Sequence, residues 1–218
     1  YYRFFISSTW PEIDGLLLYL DVDVLVKSSV SELFAQLTSL PETPIYSPQA
    51  ITWNDVIEEK PIDSYKEIVT KFLEQDQQLM SSYLECQESG IDILNVPEYA
   101  DEPAFNGGVW IYNLDLIRQG KYEHAMELCM KLQSKHKLFM HNDQGIMNVV
   151  FSKFGRLDRQ WNALDYGWLE KTDLEYDAAK IVHFNGHTKP WILEKIWSDK
   201  PWVYKPAFAQ WNKYRCDS

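Results

Sequence analysis

Two aspartates, Asp21 and Asp23, are separated by one valine and directly follow a short apolar run. In an extended segment, residues two positions apart point to the same side, so the two carboxylates can converge. Neighbouring carboxylates repel each other unless a cation lies between them, and hard oxygen ligands favour Mg²⁺ or Mn²⁺. The pair therefore predicts a divalent metal site; the alternative is an ordinary solvated end of a strand.

A second group of polar residues begins at His183 and includes Gly186, Lys189 and Trp191. A neutral imidazole is a good third ligand for a divalent ion that carboxylates already hold. A glycine lets the backbone approach a bulky anion, and a lysine supplies a compact positive charge for phosphate. The segment predicts a metal ligand next to a phosphate site, although a single histidine at a strand end is more often structural.

Two further blocks combine amide or carboxylate side chains with glycine, at 105–108 and at 142–145. Asn106 and the glycines after it can form a simple turn. Asn142 and Asp143 are residues that a helix N-terminus favours whatever the chemistry, because they satisfy free N–H groups and the helix dipole. By themselves these blocks do not separate a structural role from a catalytic one.

These residues need elements that hold them at the ends of strands and helices. The apolar run at 16–20 predicts a strand buried on both faces, as in a largely parallel sheet. Strand patterns alternate with helical patterns along the chain, which predicts an α/β fold with a single domain. Strands are predicted at 16–20, 44–47 and 180–184, and a turn that leads into a strand at 104–112. Helices are predicted at 32–37, 61–88, 114–118, 122–132 and 143–151.

Composition excludes several other classes of protein. The 218 residues carry 21 basic and 32 acidic side chains, and the net charge of −11 would repel a nucleic-acid backbone. Hydrophobic residues, at 45%, are numerous enough to form a core, and no apolar run is long enough to span a bilayer. The 3 cysteines are scattered without CxxC spacing, which argues against a disulfide framework or a zinc ribbon.

The segment Leu-Tyr-Leu-Asp-Val-Asp resembles the first motif of haloacid-dehalogenase-like phosphatases, but that class needs a downstream Gly-Asp motif, and the chain contains no Gly-Asp pair. Four blocks instead follow the order found in family 8 of the retaining glycosyltransferases, which includes glycogenin and bacterial lipooligosaccharide galactosyltransferases. The blocks lie at 19–23, 105–109, 142–145 and 183–191, and the opening Tyr-Arg-Phe is similar to a further family segment. The chain is identified as a member of this family.

The resemblance implies a GT-A fold, with a mostly parallel central sheet flanked by helices and with its N-terminal nucleotide-binding strands missing from the chain. It implies that Mn²⁺ or Mg²⁺ on the diphosphate of a nucleotide sugar is held by Asp21, Asp23 and His183. It implies that Lys189 and Gly186 bind the phosphates of the donor and that Arg3, Asn106 and Gly107 bind its sugar. Asp143 and Gln144 are the implied catalytic residues, near the anomeric carbon.

The implied activity is the transfer of a hexose, with retention, from UDP-galactose or UDP-glucose to a glycan or glycolipid acceptor in envelope polysaccharide or lipooligosaccharide synthesis. A front-face mechanism is preferred because Gln144 is a poor nucleophile. The alternative is a truncated, non-catalytic relative that binds a sugar or nucleotide. We expect a catalytic domain at 1–190 with a helical insertion at 61–88, an aromatic tail at 191–218, and a cytoplasmic location with peripheral membrane contact through the tail.

Overall fold

The computed structural model describes residues 2–57, 62–97, 102–141, 143–192 and 198–214. The strands are β1 (Leu16–Leu20), β2 (Val24–Val26), β3 (Ile45–Thr52), β4 (Pro103–Phe105), β5 (Val109–Asn113), β6 (Gly155–Leu157) and β7 (Ile181–His183). The helices are α1 (Ile6–Thr9), α2 (Val30–Leu37), α3 (Ile62–Glu74), α4 (Gln77–Glu88), α5 (Leu114–Gln119), α6 (Tyr122–His136), α7 (Asp143–Val150), α8 (Asp173–Ala178) and α9 (Lys205–Tyr214). Short 3₁₀ turns lie at Tyr2–Phe5, Trp53–Asp55 and Arg159–Asn162.

The strands of the described residues form one larger sheet and one small ladder. The larger sheet has the order β1-β5-β3-β4, and β6 also pairs with β3. Leu20, at the end of β1, lies opposite Val109 of the antiparallel strand β5. The small ladder joins β2 to β7, also antiparallel, with Val24 opposite His183. Together the two ladders bring the residues that follow β1 beside the end of β7.

The predicted α/β architecture with helices around a sheet is confirmed, but the prediction of a mostly parallel sheet is wrong for the described strands. Among these pairs, only β3 and β6 run parallel. β1 is not buried on both faces either, because Leu16 is 43% exposed and the rest of the strand is half-buried. An apolar run indicates partial burial, whereas strand direction depends on a partner that lies far along the chain.

β5, by contrast, is buried on both faces along its whole length. Its residues alternate in the pleat, so Trp110 and Tyr112 pack into the large core formed with α3, α4, α6 and α7. Val109 and Ile111 point to the other face and pack with α2 and with Trp161. Helices therefore cover both faces of the sheet at β5, next to the predicted metal ligands.

The helical segment predicted at 61–88 consists of two helices, α3 and α4. Asp76 separates them, because its backbone is extended and its carboxylate accepts a hydrogen bond from the N–H of Gln78 at 2.7 Å as the N-cap of α4. α4 packs against α3 and α6. That these helices are an insertion stays a prediction.

The aromatic residues near the C-terminus that the structure describes pack around the end of β7. Phe208 of α9 is buried and meets the ring of Phe184 edge-on, with the ring centroids 4.9 Å apart. Trp202, Tyr204 and Trp211 are partly buried against the same cluster. These rings therefore contribute to the core. Across the described residues, every helix is too short or too polar to cross a bilayer.

Candidate metal and donor site

Asp21 and Asp23 lie where the main sheet meets the β2–β7 ladder. The backbone N–H of Asp21 donates to the carbonyl of Gly108, and the N–H of Phe184 donates to the carbonyl of Asp23, both at 2.9 Å. β2 begins directly after Asp23 and pairs with β7, whose last residue is His183. Backbone hydrogen bonds on both sides therefore place the acidic pair beside the imidazole.

The three predicted metal ligands come together. Nε2 of His183 lies 3.3 Å from Oδ1 of Asp23 and 4.0 Å from Oδ2 of Asp21, and one ligand atom of each residue lies within 4.8 Å of the other two. His183 and Asp23 are buried, at 2% and 8% exposure. Two carboxylates and an imidazole are a donor set that fits a divalent cation. These residues can therefore hold a metal ion.

Lys189 lies directly beside this cluster. Its Nζ is 2.5 Å from Oδ2 of Asp23 and donates to the carbonyl of Phe184 at 2.9 Å. Burial raises the pKa of Asp23, but the hydrogen bonds and positive charges of His183, in its protonated form, and of Lys189 outweigh burial and hold that pKa well below its usual range. The carboxylate is therefore ionised at neutral pH, which is the state that a metal ligand needs.

Tyr19 orients the other carboxylate. Its hydroxyl donates to Oδ1 of Asp21 at 2.8 Å, which leaves Oδ2 as the oxygen near His183. Burial and the charge of Asp21 raise the pKa of Tyr19 to about 12, so its hydroxyl remains protonated and continues to donate. Tyr19 is thus a supporting residue of the acidic pair.

Arg3 joins three parts of the site. Its Nη1 donates to the carbonyl of Gly107 at 2.6 Å and lies 3.8 Å from Oδ1 of Asp21, while its Nη2 lies 2.6 Å from Oδ2 of Asp143. Burial lowers the pKa of Arg3, but the charges of Asp143 and Asp21 outweigh burial and raise it. The guanidinium therefore stays charged and crosslinks these segments; its contact with a donor sugar stays a prediction.

Asn106, Gly107 and Gln144 form a second cluster. Oε1 of Gln144 accepts hydrogen bonds from Nδ2 of Asn106 and from the backbone N–H of Gly107, both at 3.0 Å. Oδ1 of Asn106 in turn accepts from the N–H of Gly108 at 3.0 Å. Asn142, predicted to cap the helix that carries Gln144, lies outside the described residues. The turn before β5 is thus bound to the first turn of α7.

Asn162 connects the two clusters, although sequence analysis did not identify it. Its Oδ1 lies 2.9 Å from Nδ1 of His183, and its Nδ2 lies 3.3 Å from Oδ1 of Asn106. Asn162 is 2% exposed at the end of the 3₁₀ turn that precedes α8. A single amide between a tryptophan and an alanine follows no periodic pattern, so no sequence signal marked it.

Asn148 is a second residue that sequence analysis missed. Its Oδ1 accepts from the N–H of Phe105 at 2.9 Å, and its Nδ2 donates to the carbonyls of Phe105 at 2.8 Å and Gln144 at 2.9 Å. Asn148 is 2% exposed. The sequence did contain a signal for Asn148, which is an amide among the apolar residues of α7. A buried amide needs hydrogen-bond partners, so such a residue indicates a specific polar contact.

Two glycines permit close contacts in the site. A Cβ at Gly108 would lie 2.2 Å from Cε1 of His183, so a side chain there would displace the ring. Gly186 has a φ of +102°, which favours glycine, and a Cβ there would lie 2.8 Å from the indole of Trp168. The backbone at Gly186, predicted to hold phosphate, therefore lies against this tryptophan.

A cavity of about 820 Å³ opens beside Asn106 and Gln144 and extends to Trp168. Trp168 is 49% exposed, and its indole N–H donates to Oδ1 of Asp165 at 2.8 Å, which fixes the ring in the cavity wall. Arg159 also lines the cavity. The volume lies within the range typical of small-molecule sites. The cavity can therefore accept a saccharide next to Gln144.

The fold is that of a GT-A glycosyltransferase. It is similar to the galactosyltransferase LgtC in complex with donor and acceptor sugar analogs, with a TM-score of 0.57 and 18% identity over 100% of this chain and 67% of that chain. It is also similar to the apo structure of the bifunctional glycosyltransferase WbbM, with a TM-score of 0.54 and 18% identity over 96% of this chain and 36% of that chain. At this identity the likeness establishes the fold alone.

The sequence establishes the family. Residues 1–194 match the model of glycosyl transferase family 8, and the chain belongs to that family. "Glycosyltransferase 8 domain-containing protein 1" of Danio rerio is 27% identical over 207 residues, which cover 90% of this chain and 53% of the relative. The protein of the same name from Xenopus laevis is 24% identical over 98% of this chain and 57% of its own length. The chain spans about half the length of these relatives.

Proposed function

We propose that the protein is a metal-dependent, retaining glycosyltransferase that moves a hexose from UDP-galactose or UDP-glucose to a glycan acceptor. The observation that carries the proposal is the convergence of Asp21, Asp23 and His183 within 4.8 Å, with Lys189 beside them. Membership of family 8 supports glycosyl transfer, and the GT-A fold supports a nucleotide sugar as the donor.

Asp21, Asp23 and His183 would hold Mn²⁺ or Mg²⁺, and the bound ion supplies positive charge to a diphosphate leaving group. Lys189 adds a second positive charge, and its ammonium group can reach phosphate oxygens from its place beside Asp23. The backbone at Gly186 lets the diphosphate approach closely. Local positive charge is needed because the chain carries a net charge of −11, which repels an anionic donor.

Asp143 and Gln144 are proposed to lie beside the sugar and to stabilise positive charge on its ring without attacking it. Oδ1 of Asp143 accepts from the N–H of Gln144 at 3.0 Å, and Oδ2 pairs with Arg3 at 2.6 Å. Oε1 of Gln144 already accepts two hydrogen bonds, from Asn106 and Gly107. The engaged oxygens favour a front-face mechanism, in which the departing phosphate guides the acceptor hydroxyl and the anomeric configuration is retained.

The acceptor is proposed to bind in the cavity between Gln144 and Trp168, where the exposed indole offers an apolar face for a sugar ring. A role in envelope polysaccharide or lipooligosaccharide synthesis rests on the family resemblance alone, and the relatives named above are vertebrate proteins. The proposal is therefore a glycan acceptor of unspecified origin. A cytoplasmic location and membrane contact through the C-terminal segment stay predictions.

The test is a screen of nucleotide sugars with the protein at its full native length, in Mn²⁺ and in EDTA, with released UDP as the readout. We expect release from UDP-galactose or UDP-glucose in Mn²⁺ and none in EDTA. Asp23→Ala should abolish metal-dependent binding of the UDP-sugar, because it removes a buried ligand. Asp115→Asn, at an exposed aspartate of α5, is the matched control and should bind as the wild type does.

Equal binding of UDP-sugar with and without metal would contradict the proposal. Metal-dependent binding that never leads to UDP release, with any acceptor or with water, would instead identify the alternative, a non-catalytic relative that binds the nucleotide sugar.

A further inference from the structure

We propose that Asn162 is a positioning residue of the metal site. It accepts a hydrogen bond from Nδ1 of His183 and so keeps the hydrogen of the neutral imidazole on that atom. The lone pair of Nε2 then faces Asp21 and Asp23. It also couples the imidazole to Asn106 in the second cluster. This inference rests on the proposed function and adds to it a residue outside the family blocks.

The argument begins at two backbone groups that can only donate. The N–H of Gly107 meets the amide of Gln144 at 3.0 Å, so the atom that it meets must be the oxygen. The N–H of Gly108 meets the amide of Asn106 at 3.0 Å, and that atom must likewise be an oxygen. Asn106 then presents its NH₂ group to the oxygen of Gln144, at 3.0 Å. The backbone therefore fixes the orientation of both amides.

The orientation of the Asn106 amide fixes that of Asn162, and Asn162 in turn fixes which ring nitrogen of His183 carries the hydrogen. Because the oxygen of Asn106 accepts, the Asn162 atom 3.3 Å away must be its NH₂ group. The oxygen of Asn162 then faces Nδ1 of His183 at 2.9 Å, so Nδ1 must carry the hydrogen. In the neutral imidazole the lone pair consequently lies on Nε2, 3.3 Å from a carboxylate oxygen of Asp23.

A lone pair that faces a carboxylate is repelled by it unless a cation lies between them. The chain of amides thus prepares Nε2 for a cation before any ion arrives. Metal-binding histidines commonly donate their second ring N–H to an acceptor that fixes tautomer and ring orientation. Asn162 supplies that acceptor here.

The residues on both sides of Asn162 are held in place. The next residue, Ala163, donates its N–H to the carbonyl of Ile181 and accepts from the N–H of His183, both at 2.9 Å. The preceding residue, Trp161, is fully buried. Asn162 is therefore fixed to the same strand that carries the imidazole, as precise ligand placement requires.

The first test measures the tautomer of His183 directly, by ¹⁵N NMR of the metal-free protein at a pH where the imidazole is neutral. The signal is assigned by its loss in His183→Asn. We expect hydrogen on Nδ1. A signal showing hydrogen on Nε2 in the wild type would overturn the proposal without any variant of Asn162.

The second test compares two substitutions by titration with Mn²⁺ alone. Asn162→Asp keeps an acceptor for Nδ1 of His183 and loses the donor to Asn106, whereas Asn162→Leu loses both. We expect Asn162→Leu to lose about 10- to 100-fold in Mn²⁺ affinity and Asn162→Asp to stay near the wild-type value. Asn162→Asp should nevertheless slow UDP release, because the amide of Asn106 loses the hydrogen bond from Asn162.

A purely structural role would give a different pattern, in which both variants lose thermal stability and Mn²⁺ affinity together. That pattern, or wild-type affinity in a folded Asn162→Leu, would refute the positioning role. Failure of the proposed function is recognised separately, because wild-type protein would then bind Mn²⁺ no better than Asp23→Ala, whatever the tautomer of His183.

Discussion

His183 reaches the acidic pair because the residue beside its ring has no side chain. A Cβ at Gly108 would lie 2.2 Å from Cε1 and 2.7 Å from Nδ1 of His183. Nδ1 is the ring atom that meets Asn162 at 2.9 Å, so a displacement of the ring from Gly108 would also disturb that hydrogen bond. The site therefore depends on a glycine that contacts no ligand in the proposed mechanism.

Gly108→Ala should push the imidazole away from Asp23 and weaken Mn²⁺ binding by about 10-fold or more, as the loss of a ligand's support does. Overpacking should also lower the free energy of unfolding by about 1–3 kcal/mol. Mn²⁺ titration and urea denaturation measure the two effects. Gly107→Ala is the matched comparison. Its nearest contact would be the flexible end of the Arg3 side chain, at 3.2 Å, so it should affect Mn²⁺ binding less. Equal Mn²⁺ affinity in wild type and Gly108→Ala would contradict this account.

At this scale the grouping of Asp21, Asp23 and His183 was predictable, and their supports were not. Type and spacing alone left other interpretations open for these residues, and the order of the family blocks is what predicted them as one site. Asn162 lies between Trp161 and Ala163 in no recognisable block, and its importance arises from a contact with a strand that comes 21 residues later. Such a contact leaves no local pattern.

At the scale of elements, α7 and the end of β4 act as one unit because Asn148 bonds both backbone groups of Phe105. The turn at Asn106 follows immediately and is held by Gln144 from the first turn of the same helix. Positioning of the predicted donor residues therefore depends on this buried amide.

Asn148→Ala should leave the N–H and the carbonyl of Phe105 buried without partners, at a cost of about 1–3 kcal/mol for each group in the free energy of unfolding. Urea denaturation measures the loss. Asn95→Ala, at an exposed asparagine, is the control and should change stability by less than about 0.5 kcal/mol. A stability loss in Asn148→Ala as small as in the control would show that α7 and β4 are held together by other contacts.

The sequence predicted which segments are helices or strands better than it predicted strand direction or the residues at which helices end. Helices at 114–118, 122–132 and 143–151 correspond to α5, α6 and α7, because apolar spacing along one helix is a local property. The directions of β1 and β5 depend on pairing across the sheet, and the break at Asp76 depends on one capping side chain. The short strands β2 and β6 have three residues each, too few to show a period.

At the scale of the molecule, the cavity extends from the second cluster, at Asn106 and Gln144, to Trp168, a residue of the loop before α8. Gly186 and Asp165 fix the indole from two sides, one by close packing and one by a hydrogen bond. A fixed aromatic face loses little freedom when a sugar ring stacks on it.

Trp168→Ala should raise the KM for a glycan acceptor by about 3- to 10-fold, the equivalent of one aromatic contact, and should raise the KM for the UDP-sugar much less. Trp168→Phe should give an intermediate value. Trp10→Ala, at another half-exposed tryptophan, is the control and should leave both constants unchanged. The acceptor platform would be ruled out if the donor KM rose more than the acceptor KM.

The ladder between β2 and β7 also has a consequence for biosynthesis. Lys189 comes 166 residues after Asp23, so both aspartates leave the ribosome before the histidine and lysine have been translated. At ~5–20 residues per second this interval lasts roughly ten to thirty seconds. A nascent polypeptide therefore carries the two carboxylates without their histidine and lysine neighbours until that segment has been translated, and the cluster is complete only after β7 has paired with β2.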